Sequence, residues 1–247
     1  MTSEFKGLEK IDSGRKCPNC GRHLYEQRAY GNIVIPMMCE CELAKRKAER
    51  EAFEKRKRER KIELLRQNSG LPKKQLGQSF ESFQIRKGTE SALKAAKIFV
   101  DKFPNIVHGL LLIGPCGSGK THIAAAIANE ILNKGYSVKF ITALEIFEQT
   151  RSSYGILGVS EASIINPLKT CKLLIIDDIG VSSPTEWNKS VLQSIIDYRM
   201  NYENPTVLTT NLNMSELKER LDPRTYDRLS EGFRTFSVIA ESFRKRE

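Results

Sequence analysis

The 247-residue sequence lacks any apolar run long enough to cross a membrane, and its first residues lack the basic-then-apolar order of a signal peptide. These absences favour a cytoplasmic protein with no membrane partner. Apolar residues are also scarce before about position 90, so a sizeable core can form only after that position. Positive charge is abundant: the formal net charge of +10 suggests a polyanionic partner.

Four of the six cysteines lie close together in a segment with little apolar material, namely Cys17, Cys20, Cys39 and Cys41. In a reducing compartment such clustering favours a metal site over disulfides. Four thiolates complete a tetrahedral site, and a bound zinc ion supplies folding energy that so small a core lacks. The pattern therefore predicts a structural zinc site, in which His23 could replace one cysteine. The alternative is four free thiols on a disordered arm.

Residues 42–66 carry eleven lysines or arginines and six glutamates, with almost no helix-breaking residue. Pairs such as Glu42/Arg46 and Glu54/Arg58 have the i,i+4 order that stabilises a helix. Because the segment is polar nearly all round, we expect a solvated helix that links two domains. The alternative is contact with nucleic acid or with an acidic partner.

A glycine-rich phosphate-binding motif follows the apolar run Leu110–Ile113 and precedes a predicted helix. Its backbone N–H groups and the helix N-terminus attract phosphate, a lysine adds a full charge, and a threonine hydroxyl can bind Mg²⁺. A glycine turn in an ordinary α/β fold would not explain the Lys-Thr pair. The motif predicts that a nucleoside triphosphate binds at Gly114, Pro115, Cys116, Gly117, Ser118, Gly119, Lys120, Thr121 and His122.

Two carboxylates follow a second apolar run, Leu173–Ile176, in a Walker B pattern. A strand buried on both faces would deliver Asp177 to the phosphates, where it can hold Mg²⁺, while Asp178 could polarise the attacking water. Asn211 ends another predicted strand and could position that water. Its alternative role is that of a turn asparagine that caps a helix at Met214.

Predicted strands and helices alternate from residue 92 onwards. Strands are expected at 110–113, 136–142, 173–176 and 206–210, and helices at 92–103, 120–132 and 144–152. Ser183-Pro184-Thr185-Glu186 has the form of a capping box that opens a helix through Met200. This alternation predicts a three-layer α/β fold with a parallel sheet and the nucleotide at the carboxyl ends of its strands.

A short helix predicted to start at Asp222-Pro223 carries Arg224 and Arg228 on one face. Hydrolysis needs positive charge on the transition state beyond Lys120 and Mg²⁺, and an arginine from a neighbouring copy often supplies it. Either arginine could instead pair with a surface carboxylate.

The order of these motifs resembles the AAA+ ATPases of the DnaC/DnaI helicase-loader group, whose close relatives are the IstB transposition helpers. The resemblance covers residues 80–247. It rests on Gln78–Phe83, the phosphate loop, Ile175–Gly180, Thr209–Asn211, Asp222–Leu229 and Glu241–Arg244. It implies an AAA+ fold of the ASCE class of P-loop proteins, with a zinc-binding helicase-interaction domain at 1–41, a charged helical linker at 42–79 and the ATPase domain at 80–247.

The resemblance also implies roles for individual residues. Lys120 and Thr121 would bind phosphate and Mg²⁺, Asp177 would be the Walker B metal residue, and Asp178 would take the catalytic acidic position, where most AAA+ proteins have glutamate. Asn211 matches sensor 1. Arg228 matches the trans-acting arginine finger, which reaches the nucleotide bound by a neighbouring copy, and Arg224 is its possible substitute. Arg244 matches sensor 2.

Thr185 and Trp187 correspond to positions that contact single-stranded DNA in the loaders. A flat aromatic ring can stack on any base, which suits binding without sequence readout. However, Trp187 shares a helical stripe with Val191 and Ile195, so a core position is an equal alternative.

By this resemblance the protein uses ATP, Mg²⁺ and Zn²⁺ to load a hexameric replicative helicase onto single-stranded DNA. Copies would self-associate through their ATP sites, and slow ATP hydrolysis, stimulated by DNA or the partner, would control release. Two alternatives remain: a transposition helper that partners a transposase, and a non-hydrolysing, nucleotide-switched helicase adaptor.

Overall fold

The computed structural model describes residues 9–29, 33–153, 160–180 and 185–240. Contacts within the chain divide it into two units, Met1–Arg60 and Lys61–Glu247. Each unit contains one sheet. In the described ranges, no helix combines the length and the apolar character that crossing a membrane requires.

The first unit has a three-stranded antiparallel sheet in the order β1 (Glu9–Lys16), β2 (His23–Ala29) and β3 (Ile33–Pro36). Sequence analysis did not predict these strands. Of the described residues in this unit, only Cys17 is buried. Apolar burial therefore contributes little here, and the unit needs another source of stability.

The charged segment forms one helix, α1 (Glu40–Gln67), none of whose residues is buried. The prediction of a solvated helix over 42–66 is therefore confirmed. Arg46 Nε donates to Glu42 Oε1 at 3.2 Å, one of the predicted i,i+4 pairs. The helix begins in the first unit and ends in the second.

The second unit alternates helices and parallel strands, as predicted. Its helices are α2 (Lys73–Leu76), α3 (Glu90–Lys102), α4 (Lys120–Asn133), α5 (Ala143–Ser152), α6 (Glu161–Thr170), α7 (Glu186–Asn201), α8 (Met214–Arg220) and α9 (Pro223–Gly232). Its strands are β4 (Gly109–Ile113), β5 (Val138–Thr142), β6 (Leu173–Asp177), β7 (Thr206–Thr210) and β8 (Phe233–Ser237).

The five strands of this sheet are all parallel and follow the order β5-β6-β7-β4-β8. Strand β7 therefore lies between β4, which leads into the phosphate loop, and β6, which leads into the two carboxylates. Because parallel strands end at a common edge, the residues that follow β4, β6 and β7 converge there.

Successive side chains of the central strands face opposite layers. Leu110 and Leu112 pack in an apolar cluster with α3 and α4, whereas Leu111 packs in a second cluster with α5, α6 and α7. Strand β6 is buried along its whole length. This continuous burial is typical of a parallel sheet covered by helices on both faces.

The start of α7 differs from the prediction. The N-cap is Thr185, whose hydroxyl accepts a hydrogen bond from the Asn188 N–H at 3.2 Å. The proposed cap Ser183 and the residue Pro184 lie outside the described residues. Helix α7 therefore begins at Glu186, because the threonine that precedes it satisfies the first free N–H groups.

Arg199, near the end of α7, is almost completely buried, at 1% exposure. Its guanidinium donates to the backbone carbonyls of Leu168, Lys169, Cys171 and Pro205 and to the Thr206 hydroxyl. It thus ties the end of α6 to the start of β7. No sequence pattern indicated this residue.

Strand β8 follows α9 without an intervening residue and pairs with β4. Just beyond β8, the Val238 N–H donates to the Ile113 carbonyl at 2.7 Å. The edge strand therefore lies directly beside the phosphate loop.

Candidate nucleotide site and cysteine cluster

The loop between β4 and α4 has the backbone shape that its glycines permit. Gly114, Gly117 and Gly119 have φ values of 153°, 76° and 108°. A Cβ on Gly114 would lie 2.2 Å from the Val238 carbonyl oxygen, and one on Gly119 would lie 2.8 Å from the Phe83 ring. Larger residues at these two positions would therefore disrupt the loop.

Lys120, the first residue of α4, is 4% exposed. Its ammonium donates to the carbonyls of Gly114 and Pro115 at 2.7 and 2.9 Å and to Asn211 Oδ1 at 2.7 Å. A buried ammonium needs such partners. The contacts hold a positive charge inside the loop and link it to the end of β7.

Asp177 ends β6 and is 5% exposed. The Thr121 hydroxyl donates to its two carboxylate oxygens at 3.2 and 3.1 Å, and the Thr209 hydroxyl donates to one of them. Burial raises the pKa of Asp177. A hydroxyl beside a carboxylate is the oxygen donor set that Mg²⁺ prefers, and a bound cation would stabilise the buried charge.

Asp178 has a left-handed backbone conformation, with φ of 55°. Its N–H donates to the Thr209 hydroxyl at 3.0 Å, and its Oδ1 accepts a hydrogen bond from Asn211 Nδ2 at 3.1 Å. The alternative role of Asn211 as a helix cap is wrong, because Asn213 caps α8. Asn211 instead bridges Lys120 and Asp178.

A cavity of about 410 Å³ opens beside these residues. Its wall includes the phosphate loop, Asp178, Asn211 and several side chains of segment 78–86. This volume is within the range of small-molecule binding sites.

Arg86 lines this cavity and was missed by the sequence analysis. Its Nη2 donates to the Ser118 carbonyl at 2.9 Å, so it contacts the phosphate loop directly. No motif marked Arg86 as a site residue, because it lies eight residues after Gln78 and outside the Gln78–Phe83 motif. Thr209 was also missed, although it belongs to the Thr-Thr-Asn motif.

His122 lines the same cavity and contacts segment 78–86. Its Nε2 donates to the Ser79 carbonyl at 3.0 Å and lies 3.2 Å from Ser82 Oγ, and its ring meets Phe83 edge-on at 5.2 Å between centroids. His122 thus fastens this wall of the cavity to α4.

Arg224 and Arg228 both lie near a carboxylate on α7. Arg224 Nε is 3.5 Å from Asp197 Oδ2, and Arg228 Nε is 3.4 Å from Asp197 Oδ1. Neither arginine lines the nucleotide cavity. Pairing with a carboxylate, which sequence analysis left open, is therefore present for both.

Trp187, in the first turn of α7, is half-buried. Its ring packs edge-on against Phe147 at 6.3 Å between centroids, and the Arg151 guanidinium lies 5.1 Å above it. Thr185 is exposed, and its hydroxyl caps α7. Trp187 thus makes a core contact and stays partly exposed. Arg244 lies outside the described residues.

The four clustered cysteines converge in the first unit. Their sulfurs all lie within 4.8 Å of one another, with Cys17–Cys41 and Cys39–Cys41 at 3.5 Å and Cys20–Cys39 at 3.3 Å. These distances are too long for disulfides, and all four thiols are free. Four sulfurs about 2.3 Å from a zinc ion would be about 3.8 Å apart, so the cluster fits a tetrahedral site.

The surroundings of Cys17 favour the thiolate form. Hydrogen bonds from the backbone N–H groups of Asn19 and Cys20 lower the pKa of Cys17 to about 6. His23 is not part of the cluster: its Nδ1 lies 3.0 Å from Asp12 Oδ2. The expectation that His23 could replace a cysteine is therefore not met, since four sulfurs already complete the set.

The structure thus gathers Lys120, Thr121, Asp177, Asp178 and Asn211 at one sheet edge. With β7 inserted between the phosphate-loop strand and the carboxylate strand, the second unit is a P-loop domain of the AAA+ class.

Comparison with known proteins agrees with this class. The profile of the family described as IstB-like ATP binding protein matches residues 38–247. The replicative helicase loader DnaC of Escherichia coli K12 is 32% identical over 197 residues, which cover 79% of this chain and 80% of that protein. This chain therefore belongs to the IstB-like ATP binding protein family, in its DnaC/DnaI branch.

Solved structures show the same fold. The match to a crystal structure of DnaI covers 68% of this chain and 95% of the DnaI chain, with 25% identity and a TM-score of 0.61. The crystal structure of the DnaC helicase loader covers 67% of this chain and 99% of its own, with 23% identity and a TM-score of 0.60.

We predict that the purified protein contains one zinc ion per chain, because the four sulfurs complete a tetrahedral site. Cys41→Ser should lower the zinc content at least severalfold, as measured by plasma mass spectrometry after gentle purification. Cys116→Ser, which alters an exposed thiol outside the cluster, is the matched control and should retain zinc. Wild-type protein with well below one zinc per chain would contradict the prediction.

Proposed function

We propose that this protein uses ATP binding and hydrolysis to load a hexameric replicative helicase onto single-stranded DNA. The observation that carries the proposal is the convergence of Lys120, Thr121, Asp177, Asp178 and Asn211 at one edge of an AAA+ sheet. Similarity to the loader DnaC over most of both chains supports the choice of partner.

In this proposal each group at the sheet edge has one task. Lys120 exchanges its loop carbonyls for phosphate oxygens, and the loop N–H groups bind the same phosphates. Thr121 and Asp177 would hold Mg²⁺, and the bound cation would supply positive charge to the phosphates. Asn211 orients the attacking water, and Asp178 accepts its proton.

Two further arginines add positive charge for the hydrolysis of ATP. Arg228 of a neighbouring copy reaches the terminal phosphate, so ATP bridges two copies and drives self-association. Arg244 acts as sensor 2. Asp178 is one methylene shorter than glutamate and holds the water less closely, which makes turnover slow until DNA or the partner binds.

This mechanism predicts different effects for two substitutions. Lys120→Ala should abolish ATP binding, whereas Asp178→Asn should retain binding and lower turnover roughly hundredfold, because only the general base is lost. Binding is measured with a fluorescent ATP analogue and turnover by phosphate release. Lys94→Ala removes an exposed lysine from α3 and should change neither quantity. Normal turnover in Lys120→Ala would refute the site assignment.

We assign helicase binding to the zinc-binding domain at 1–41, followed by the charged linker at 42–79 and the ATPase domain at 80–247. The first unit exposes several large apolar side chains near the cysteine cluster. They are Val34 (45%), Ile35 (50%), Met37 (38%) and Met38 (45%). Exposed apolar side chains at this density favour a role in protein docking.

Ile35→Asp should therefore lower retention of the protein on an immobilised hexameric replicative helicase about tenfold, because it places a charge within this exposed apolar segment. Val107→Asp charges an 82% exposed residue of the ATPase unit and is the matched control. Equal retention of Ile35→Asp and wild type would contradict the assignment. Retention by a transposase in place of any helicase would instead support the role of a transposition helper.

Single-stranded DNA would contact Thr185 and Trp187 at the start of α7. Trp187 is partly exposed and Arg151 lies over its ring, so the two together offer an aromatic ring and a cation, the pair that binds bases and backbone without sequence readout.

Trp187→Leu should weaken binding to oligothymidine about tenfold in fluorescence anisotropy, because base stacking is lost while apolar packing on Phe147 is largely kept. Tyr202→Leu removes a 66% exposed aromatic from the other end of α7 and should leave the affinity unchanged. If Trp187→Leu binds oligothymidine as tightly as the wild type does, Trp187 serves only in packing.

A further inference from the structure

One face of α1 combines positive charge with an exposed aromatic ring. The helix residues from 46 to 60 belong to the first unit, and all of them are exposed. An α-helix turns by about 100° per residue, so five of these residues fall on an arc about 80° wide that runs along the helix. We call this set the basic stripe; its members are Arg46, Arg50, Phe53, Lys57 and Arg60.

Acidic residues are sorted away from the basic stripe. The glutamates between residues 46 and 60 all lie outside its arc, and they are Glu49, Glu51, Glu54 and Glu59. Arg46 pairs with Glu42, one turn before the stripe, at 3.2 Å. Within the described ranges, the other three cations of the stripe form no ion pair. Exposed ion pairs are weak, so this face can offer its positive charge to a ligand.

Phe53 lies at the middle of the basic stripe and is 64% exposed. Among the residues that the structure describes, its ring has no aromatic or cationic partner. A solvated linker explains the charges of α1, but it does not explain this side chain, because phenylalanine forms helices less readily than leucine, lysine or glutamate. An exposed ring between cations instead suits a ligand that has both flat faces and negative charge.

Single-stranded nucleic acid has both properties. Proteins bind such strands without sequence readout by placing cations along the phosphates and stacking aromatic rings on the bases. In a duplex the bases already stack on one another, so the exposed ring of Phe53 favours a single strand. The stripe extends about 21 Å along the helix axis from Arg46 to Arg60, which allows contact with several consecutive nucleotides.

We propose that the basic stripe of α1 is a second binding surface for single-stranded DNA, on which the four cations follow the phosphates and Phe53 stacks on a base. The inference rests on the proposed function for the identity of the strand. It adds a contact outside the ATPase domain and separate from Thr185 and Trp187. Two contacts with one strand strengthen each other, because binding at the first raises the local concentration of the strand at the second.

The first test removes two cations of the stripe from the full-length protein. Arg50→Gln/Lys57→Gln should weaken binding to oligothymidine about tenfold at low salt in fluorescence anisotropy. The slope of log affinity against log salt concentration should fall in magnitude by about 1.4, because each phosphate contact on a single strand contributes about 0.7. Lys47→Gln/Lys55→Gln removes the same charge from exposed positions outside the stripe and should preserve affinity and slope.

The second test separates stacking from charge. Phe53→Leu should weaken binding to oligothymidine about fivefold and leave the salt slope unchanged, because it removes a stacking ring but no cation. On an abasic strand of the same length, Phe53→Leu and the wild type should bind equally, whereas Arg50→Gln/Lys57→Gln should still bind more weakly. Zinc content and circular dichroism check that each variant keeps the folded first unit and its helix.

Equal losses in Arg50→Gln/Lys57→Gln and in its control would overturn the proposal, because net charge alone would then account for binding. Normal binding of oligothymidine by the stripe variant would also overturn it, and a simultaneous loss of helicase retention would show that the stripe contacts an acidic protein surface instead. ATP turnover and retention of Ile35→Asp on the helicase test the proposed function separately, so failure of the stripe leaves that function standing.

Discussion

The candidate site depends on a single hydroxyl, that of Thr209. It donates to the Asp177 carboxylate and accepts the backbone N–H of Asp178, so one side chain of β7 holds both acids at the end of β6. This contact exists only because β7 is inserted between β6 and the strand that leads into the phosphate loop. Asn211, two residues further along the chain, then reaches both Lys120 and Asp178.

Much of this site could be predicted from sequence because its residues lie in short motifs with a local physical cause. The glycines and Lys120 adjoin one strand, and the two acids end another that is apolar throughout. Parallel strands end at a common edge, so the meeting of Thr121 with Asp177, 56 residues apart, follows from topology alone. The solvated helix α1 was predictable for a similar reason, since its charge pairs lie within one or two turns.

Other features could not be predicted, because their partners are distant in sequence and leave no periodic signal. Arg86 reaches the loop through a backbone carbonyl, which any residue offers. Asp197 and Arg199 lie two residues apart on α7, yet one faces two arginines and the other is buried among carbonyls. The strands of the first unit escaped prediction because their side chains build no apolar core and so lack clear alternation.

The direct passage from α9 into β8 has a mechanical consequence. Because no residue separates helix from strand, a shift of α9 would be passed to β8, and the Val238 N–H just beyond β8 donates to the carbonyl of Ile113, which directly precedes the phosphate loop. Helix α9 and strand β8 therefore connect the surface that carries Arg224 and Arg228 to the start of the phosphate loop of the same copy. A displacement of that surface would then be transmitted along the chain to Gly114, the first residue of the loop.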